Sequence, residues 1–331
     1  MGIRPYDAFN KEKLMKKIIT AVACAFAVIL ITMLIRSNTY SRTEYMLDTV
    51  ITITADNRQA VDACFEEISR LEKLLSAYVP DSDIAKINAS SYGEPVEVSP
   101  ETAYVIKKAN EYKMLTDGAF DISIKPVIDL WDIKNGGYVP DDSELAEALS
   151  LTGNININDN TVSLTKEGMQ IDLGGIAKGY VGDRVREVLL SYGVDSAIAD
   201  LGGNIVTIGK NSRKDWIVGL QKPDEQRGTT FAEIKAENKV VVTSGGYERY
   251  FEKDGKKYHH IINPETGKNP DNNVLSVTII ANDGTLADAL STACFIKGKD
   301  EGLLLAEKAD VDAVIYTTDG IYYTDEAREK E

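Results

Sequence analysis

Asp288 and Thr292 stand four residues apart in Ala287-Asp288-Ala289-Leu290-Ser291-Thr292, a spacing that puts a carboxylate and a hydroxyl on one helix face. Leu286, Ala289, Leu290, Ala293 and Phe295 make that helix largely apolar, and polar groups on a buried helix need partners. Two hard oxygens suit Mg²⁺ better than zinc. A second segment, Asp172-Leu173-Gly174-Gly175-Ile176-Ala177-Lys178-Gly179-Tyr180, reads as a glycine turn leading into a helix. Paired glycines let backbone approach a ligand closely, and a helix N-terminus favours anions. The segment lacks the Gly-Lys-Ser/Thr ending of a P-loop, which argues against that type of nucleotide hydrolase. A third segment is Thr243-Ser244-Gly245-Gly246-Tyr247 followed by His259-His260-Ile261-Ile262-Asn263-Pro264-Glu265-Thr266-Gly267. His260 lies near a strand end beside a Pro/Gly turn, where exposed functional residues are common. A fourth is Gly118-Ala119-Phe120-Asp121-Ile122-Ser123, ending at Trp131. Each also has a plain reading: a tight turn for the glycines, a solvated face for Asp288 and Thr292, a structural histidine for His260.

These groups need elements to hold them. Val50 to Thr54 is β-branched throughout and reads as a strand. Val61, Cys64, Phe65, Ile68, Leu71 and Leu75 follow helical spacing, and that helix must end before Pro80. Ser99-Pro100-Glu101 is an N-cap with Pro at the first helical position, opening a helix that runs to about Leu115. Val181, Val185, Val188 and Leu189 make another amphipathic helix, closed by Gly193. Short β-rich runs follow at Ile198–Ala199, Asn204–Ile208, Trp216–Leu220, Val240–Thr243, Tyr258–Ile262 and Val274–Ile280. A helix spans Leu286 to Ile296, and Thr318-Asp319-Gly320 reads as a hairpin turn between Val314–Thr317 and Ile321–Tyr323. Strands and helices are interspersed without regular alternation, which predicts an α+β fold with a largely antiparallel sheet. Residues 44–324 read as one catalytic unit, with 36–43 a linker and 325–331 a charged tail.

The composition fits such a unit. Of 331 residues 43% are hydrophobic and 27% charged, an ordinary globular balance. A net charge of −15 makes the chain a poor general binder of nucleic acid. Cys24, Cys64 and Cys294 are too few for a disulfide framework or a Cys-built zinc site, and His259 and His260 too few for a multi-His metal centre.

The N-terminus is a different matter. Residues 1–17 carry Arg4, Lys11, Lys13, Lys16 and Lys17 against Asp7 and Glu12, and residues 18–35 form an uncharged run closed by Arg36. That run is near the ~20 residues a bilayer-crossing helix needs. Met33-Leu34-Ile35-Arg36 is a poor cleavage site, and lipidation at Cys24 fits worse because the apolar run continues well beyond it. An uncleaved signal-anchor is the favoured reading, with the basic end in the cytoplasm and the body outside.

Taken in order, Leu47-Asp48-Thr49, Ser76-Ala77-Tyr78 with Asp81-Ser82, GAFDIS through Pro126 and Trp131, DLGGIAKGY, Leu201-Gly202-Gly203-Asn204, TSGGYERY, HHIINPETGKNP and ADALSTA resemble the ApbE family, the FAD:protein FMN transferases. The resemblance runs from about Glu44 to Gly320. It implies Mg²⁺ held by Asp288, Thr292 and a backbone carbonyl of the glycine turn, Gly175, with Ser291 a further ligand. It implies FAD as substrate, with flavin contacts from Leu47, Tyr78, Ala119, Phe120, Asp121, Asp172, Lys178 and Ile262. It makes His260 the base that takes a proton from an acceptor threonine, whose oxygen attacks the FMN phosphorus while AMP leaves. The implied partner is a flavoprotein bearing the threonine.

Three positions depart from the family pattern. Leu47-Asp48-Thr49 stands where Met-Gly-Thr is frequent, Lys125 where a small residue is usual, and Asn263 where Asp often precedes Pro264. FAD hydrolysis to FMN and AMP, and storage of FAD without turnover, are the alternative functions. An acceptor would carry Asp-Gly with a threonine six positions on. Here Asp319 is followed at that distance by Asp325 and Asp283 by Ala289, so the chain reads as the transferase and not as an acceptor.

Overall fold

The computed structural model describes residues 39–330. Its frame is an eight-stranded sheet whose strands lie side by side in chain order: Tyr40–Met46, Thr49–Ala55, Ser196–Leu201, Asn204–Gly209, Val240–Gly245, Val274–Ala281, Asp312–Thr317 and Gly320–Tyr323. Each neighbouring pair runs antiparallel. The expected α+β class with an antiparallel sheet is therefore what the chain adopts. Everything else except a short C-terminal helix is inserted between strands. Most helices enter between Ala55 and Ser196, a hairpin between Gly209 and Val240, another between Gly245 and Val274, and two helices between Ala281 and Asp312.

Period-2 alternation assigns the two faces of the sheet. Val240, Val242, Val277, Ile279, Ala313 and Ile315 point into the main core, beneath the helices. Val241, Ile280 and Val314 point the other way, against Val218, Leu220 and Ile234 of the hairpin Trp216–Gln221/Thr230–Ala236. Helix Arg58–Leu75 is capped by Asn57 and buries Val61, Cys64, Phe65, Ile68, Leu71 and Leu75, the stripe seen in the sequence. Ser99 caps helix Pro100–Leu115 as expected. Helix Gly284–Lys297 is buried on nearly all sides, between the sheet and helices Ala177–Ser191 and Pro100–Leu115. A smaller cluster of Ile124, Val127, Trp131, Leu145, Ala148 and Ile262 holds the site's outer wall, and the Trp131 indole donates to the Gly267 carbonyl at 2.7 Å.

Some boundaries differ from the sequence reading. The first strand starts at Tyr40, inside the segment read as linker, because residues 40–46 pair along the whole of Thr49–Ala55. Helix Gly284–Lys297 starts two residues before Leu286, since Asp283 caps it through the Leu286 amide. Residues 325–330 are a helix rather than a plain tail, and Ala327 is fully buried in the second core. Among the described residues no helix is long and apolar enough to cross a membrane; residues 1–17 and the run 18–35 lie outside them.

Candidate active site

The buried helix Gly284–Lys297 carries Asp288 on the face that meets helix Ala177–Ser191. The two helices touch at Gly179, where a Cβ would lie 2.1 Å from the Gly284 carbonyl oxygen and 2.7 Å from Asp288 Cβ. Only glycine permits that approach, and it lets the Gly179 amide donate to Asp288 Oδ2 at 2.8 Å. Among the described residues Oδ1 meets the Lys178 ammonium at 3.7 Å, beyond hydrogen-bond reach. One carboxylate oxygen is thus fixed by a hydrogen bond, and the other carries only the longer ion pair with Lys178.

Thr292 stands one turn further on. A Cβ on Gly175 would lie 3.7 Å from Thr292 Oγ1 and 3.1 Å from the Phe120 ring, so the glycine turn sits directly over the hydroxyl. The hydroxyl and the turn backbone thus lie together, one helical turn from Asp288 on the same buried helix, and oxygen donors of this kind suit Mg²⁺. Ser291 departs from the expected ligand set. It is fully buried, its hydroxyl donates to the Asp288 carbonyl at 2.8 Å and lies 2.8 Å from Ser244 Oγ, so it braces the helix against the sheet.

The expected flavin contacts come from four segments. Leu47 and Asp48 form the two-residue turn between the first strands, with φ of 52° and 57°. A hairpin of this kind needs left-handed residues at both positions, which Asp tolerates and Leu adopts at a cost of about 1–2 kcal/mol. Three contacts hold the turn. The Leu47 amide donates to Glu72, Lys134 pairs with Asp48, and Arg249 donates to the Asp48 carbonyl. Tyr78 is 57% exposed, with the Lys125 and Lys134 ammonium groups 5.2 and 4.9 Å from its ring centre. Lys125, one of the departures noted above, is buried and paired with Asp129 at 2.5 Å. Ala119 and Phe120 pack on the main core. The Asp121 carboxylate is engaged by Lys113 at 2.7 Å and by the Ser123 amide. The Asp172 amide donates to the Ile122 carbonyl, joining this segment to the glycine turn. Burial pushes the Asp172 carboxyl up, opposed by the Gly174 amide and the Lys125 charge. Ile262 is buried in the Trp131 cluster.

The adjacent histidines have different surroundings. Strand Lys256–His259 ends at His259, short of the expected Ile262, because the Asn269 side chain takes the His259 amide and the His259 and Ile261 carbonyls in place of a partner strand. His259 packs edge-on against Phe295, ring centres 5.4 Å apart, and its Nδ1 accepts from Asn269 and the Ile261 amide. Burial pushes it down to about 4. His260 is exposed, with Nδ1 3.2 Å from the Arg249 carbonyl. A carbonyl can only accept, so the proton sits on Nδ1 and the Nε2 lone pair is free. Although the residue keeps solvent contact, desolvation of its ring pushes it down as well, to about 4. The Arg249 carbonyl opposes that, while the charges of Arg249, His259 and Lys178 add to it. The Lys178 ammonium stands 3.7 Å from Asp288.

The model of the ApbE family matches residues 47–315. This chain belongs to the ApbE family. It is 38% identical over 259 residues to a FAD:protein FMN transferase of Klebsiella pneumoniae (strain 342), covering 76% of this chain and 80% of the relative. It is 35% identical over 311 residues to one from Treponema pallidum (strain Nichols), covering 86% of each. The crystal structure of the ApbE protein from Thermotoga maritima superposes with a TM-score of 0.83 at 35% identity, covering 89% of this chain and 99% of that one. The flavin transferase ApbE from Vibrio cholerae gives 0.80 at 27% identity, with 89% and 100% covered.

Within this ApbE site the sequence reading passed over Gly179, Ser244, Arg249 and Asn204 as individual residues. All four lie in segments already singled out, and their roles depend on partners far away in the chain. Ser244 continues the row Val240, Val242 on the helix face of its strand, which a period-2 count could have found.

Proposed function

We propose that this chain is a Mg²⁺-dependent FAD:protein FMN transferase. It moves FMN from FAD to a threonine or serine hydroxyl of a membrane or extracytoplasmic flavoprotein and releases AMP. The observation that carries this reading is the placement of Asp288 and Thr292 one turn apart on a buried helix, with the Gly175 turn against the Thr292 hydroxyl. The names of the similar proteins support it.

Asp288, Thr292 and the turn backbone at Gly175 would hold Mg²⁺. When bound, the ion neutralises charge on the pyrophosphate and on the leaving group. Leu47, Tyr78, Ala119, Phe120, Asp121, Asp172, Lys178 and Ile262 orient FAD so that its flavin-side phosphorus faces the acceptor. His260 Nε2 takes the proton of the acceptor hydroxyl, while the Arg249 carbonyl holds the ring's other nitrogen. The hydroxyl oxygen bonds to the flavin-side phosphorus as the bond to the bridging oxygen breaks, and that oxygen leaves with AMP. The run 18–35 would anchor the chain with the catalytic body outside the cytoplasm.

AMP release tests the reading. With FAD and Mg²⁺, release should depend on an acceptor protein and match FMN incorporated one for one. Release at the same rate without acceptor would assign FAD hydrolysis instead, and no release with acceptor present would leave a flavin-binding protein.

A further inference from the structure

Asn204 opens the strand Asn204–Gly209 on the helix-facing side of the sheet and is 1% exposed. Its Oδ1 accepts from the Lys178 ammonium at 2.5 Å. Its Nδ2 is buried and has no hydrogen-bond partner among the described residues. A buried amide with an orphaned donor is costly, and an apolar residue of similar size would avoid the cost. The half of the amide that is used grips Lys178.

That grip matters because of what lies beside it. Lys178 Nζ stands 3.7 Å from Asp288 Oδ1, an ion pair too long for a hydrogen bond, on the oxygen that the Gly179 amide does not engage. Lys178 is the residue before Gly179, whose amide fixes the other oxygen of the same carboxylate. An untethered ammonium would close the remaining gap and turn this long ion pair with Oδ1 into a hydrogen-bonded one. It would then compete with a divalent cation for that oxygen.

We propose that Asn204 is a positioning residue that holds the Lys178 ammonium off Asp288, keeping the metal seat open and the ammonium directed to the nucleotide. The inference rests on the reading of Asp288 as a Mg²⁺ ligand. It acts through Lys178 and requires no contact between Asn204 and FAD.

The test is Mg²⁺ binding by calorimetry to the FAD-free protein, with no turnover involved. Asn204→Leu should weaken Mg²⁺ binding about tenfold, the scale for an ammonium moving from 3.7 Å to direct contact with a carboxylate. Adding Lys178→Met should return the affinity to that of Lys178→Met alone, since the competing cation is gone. A merely structural loss at Asn204 would persist in the double variant. Asn204→Ser, smaller and still polar, serves as the second probe if Asn204→Leu does not fold, with the same relief by Lys178→Met expected. If Mg²⁺ fails to bind the wild type, or binds Asp288→Ala equally well, the metal reading falls and the inference with it. If binding needs Asp288 but not Asn204, or if the loss survives Lys178→Met, the positioning role alone is overturned.

Discussion

The Gly179 amide donates to Oδ2 of Asp288 at 2.8 Å across the contact between two helices. That one bond fixes the orientation of the proposed metal ligand, and it exists because neither helix carries a side chain at the crossing. Gly179→Ala should therefore act on both fold and activity. Its methyl would meet the Gly284 carbonyl oxygen at 2.1 Å, a backbone atom that cannot rotate away. Overpacking of this kind costs about 1–3 kcal/mol. The melting temperature should fall by roughly 2–10 °C, and FMN transfer more steeply than stability. Unchanged melting and transfer would contradict the described crossing.

Asp288→Ala removes the carboxylate and leaves the pyrophosphate charge uncompensated. Transfer should drop at least ~100-fold at saturating Mg²⁺, because metal charge stabilisation is worth several kcal/mol and about 1.4 kcal/mol is tenfold. Excess chelator should produce the same loss in the wild type. Thermal melting of the variant, measured in parallel, should show a folded protein.

The two histidines should separate cleanly in single-turnover transfer at saturating FAD. His260→Ala should slow transfer by about 10²–10⁴ with FAD binding nearly unchanged. His259→Ala should cost stability more than chemistry, since its ring packs on Phe295 and accepts two hydrogen bonds. The reverse ranking would reject His260 as the base.

The pH dependence follows from direction of shift. An isolated imidazole would lose base activity below about 6.5. In the structure His260 is pushed down to about 4, so in the free enzyme it remains the neutral base through pH 5 and loses that role near pH 4. The acid limb of kcat/KM should lie correspondingly low. Stability falls in the same direction. The folded His259 refuses a proton that the unfolded chain accepts, so its contribution is present above about 6.5 and is lost as pH falls towards about 4. His259→Gln should flatten that part of the stability profile, as read by chemical denaturation at pH 7 and pH 5. An unaltered slope would mean that other groups set it.

Local periodicity makes part of the proposed site legible in the sequence, and the rest of it comes from the resemblance to the ApbE family. Asp288 and Thr292 share a face through the helical repeat, and His259 and His260 divide between two environments through their adjacency. Helix Arg58–Leu75 was plain from its apolar stripe, while the short helices Asp83–Ala89 and Asp142–Ser150 have too few buried residues to announce themselves. The expected strand at Tyr258–Ile262 overran because a side chain, Asn269, replaces the ladder that β-branched residues suggest. Ser291 looked like a further oxygen ligand beside Thr292, but its hydroxyl donates to the Asp288 carbonyl and meets Ser244, the nearer of the two hydroxyls to that serine. Gly179 and Asn204 could not be assigned roles before the fold was known. Their meaning lies in Gly284 and Lys178, which the chain brings to them only when the sheet and helices assemble.

The central claim is that the FMN phosphorus is delivered to a protein hydroxyl under the control of Asp288 and His260. The most direct measurement is intact-protein mass spectrometry of a membrane flavoprotein acceptor after incubation with this chain, FAD and Mg²⁺, followed by peptide mapping. The account predicts one FMN adduct on a threonine or serine, with AMP formed in equal amount and the adduct lost with Asp288→Ala. Free FMN and AMP without an adduct, or an adduct of undiminished yield from Asp288→Ala, would contradict it.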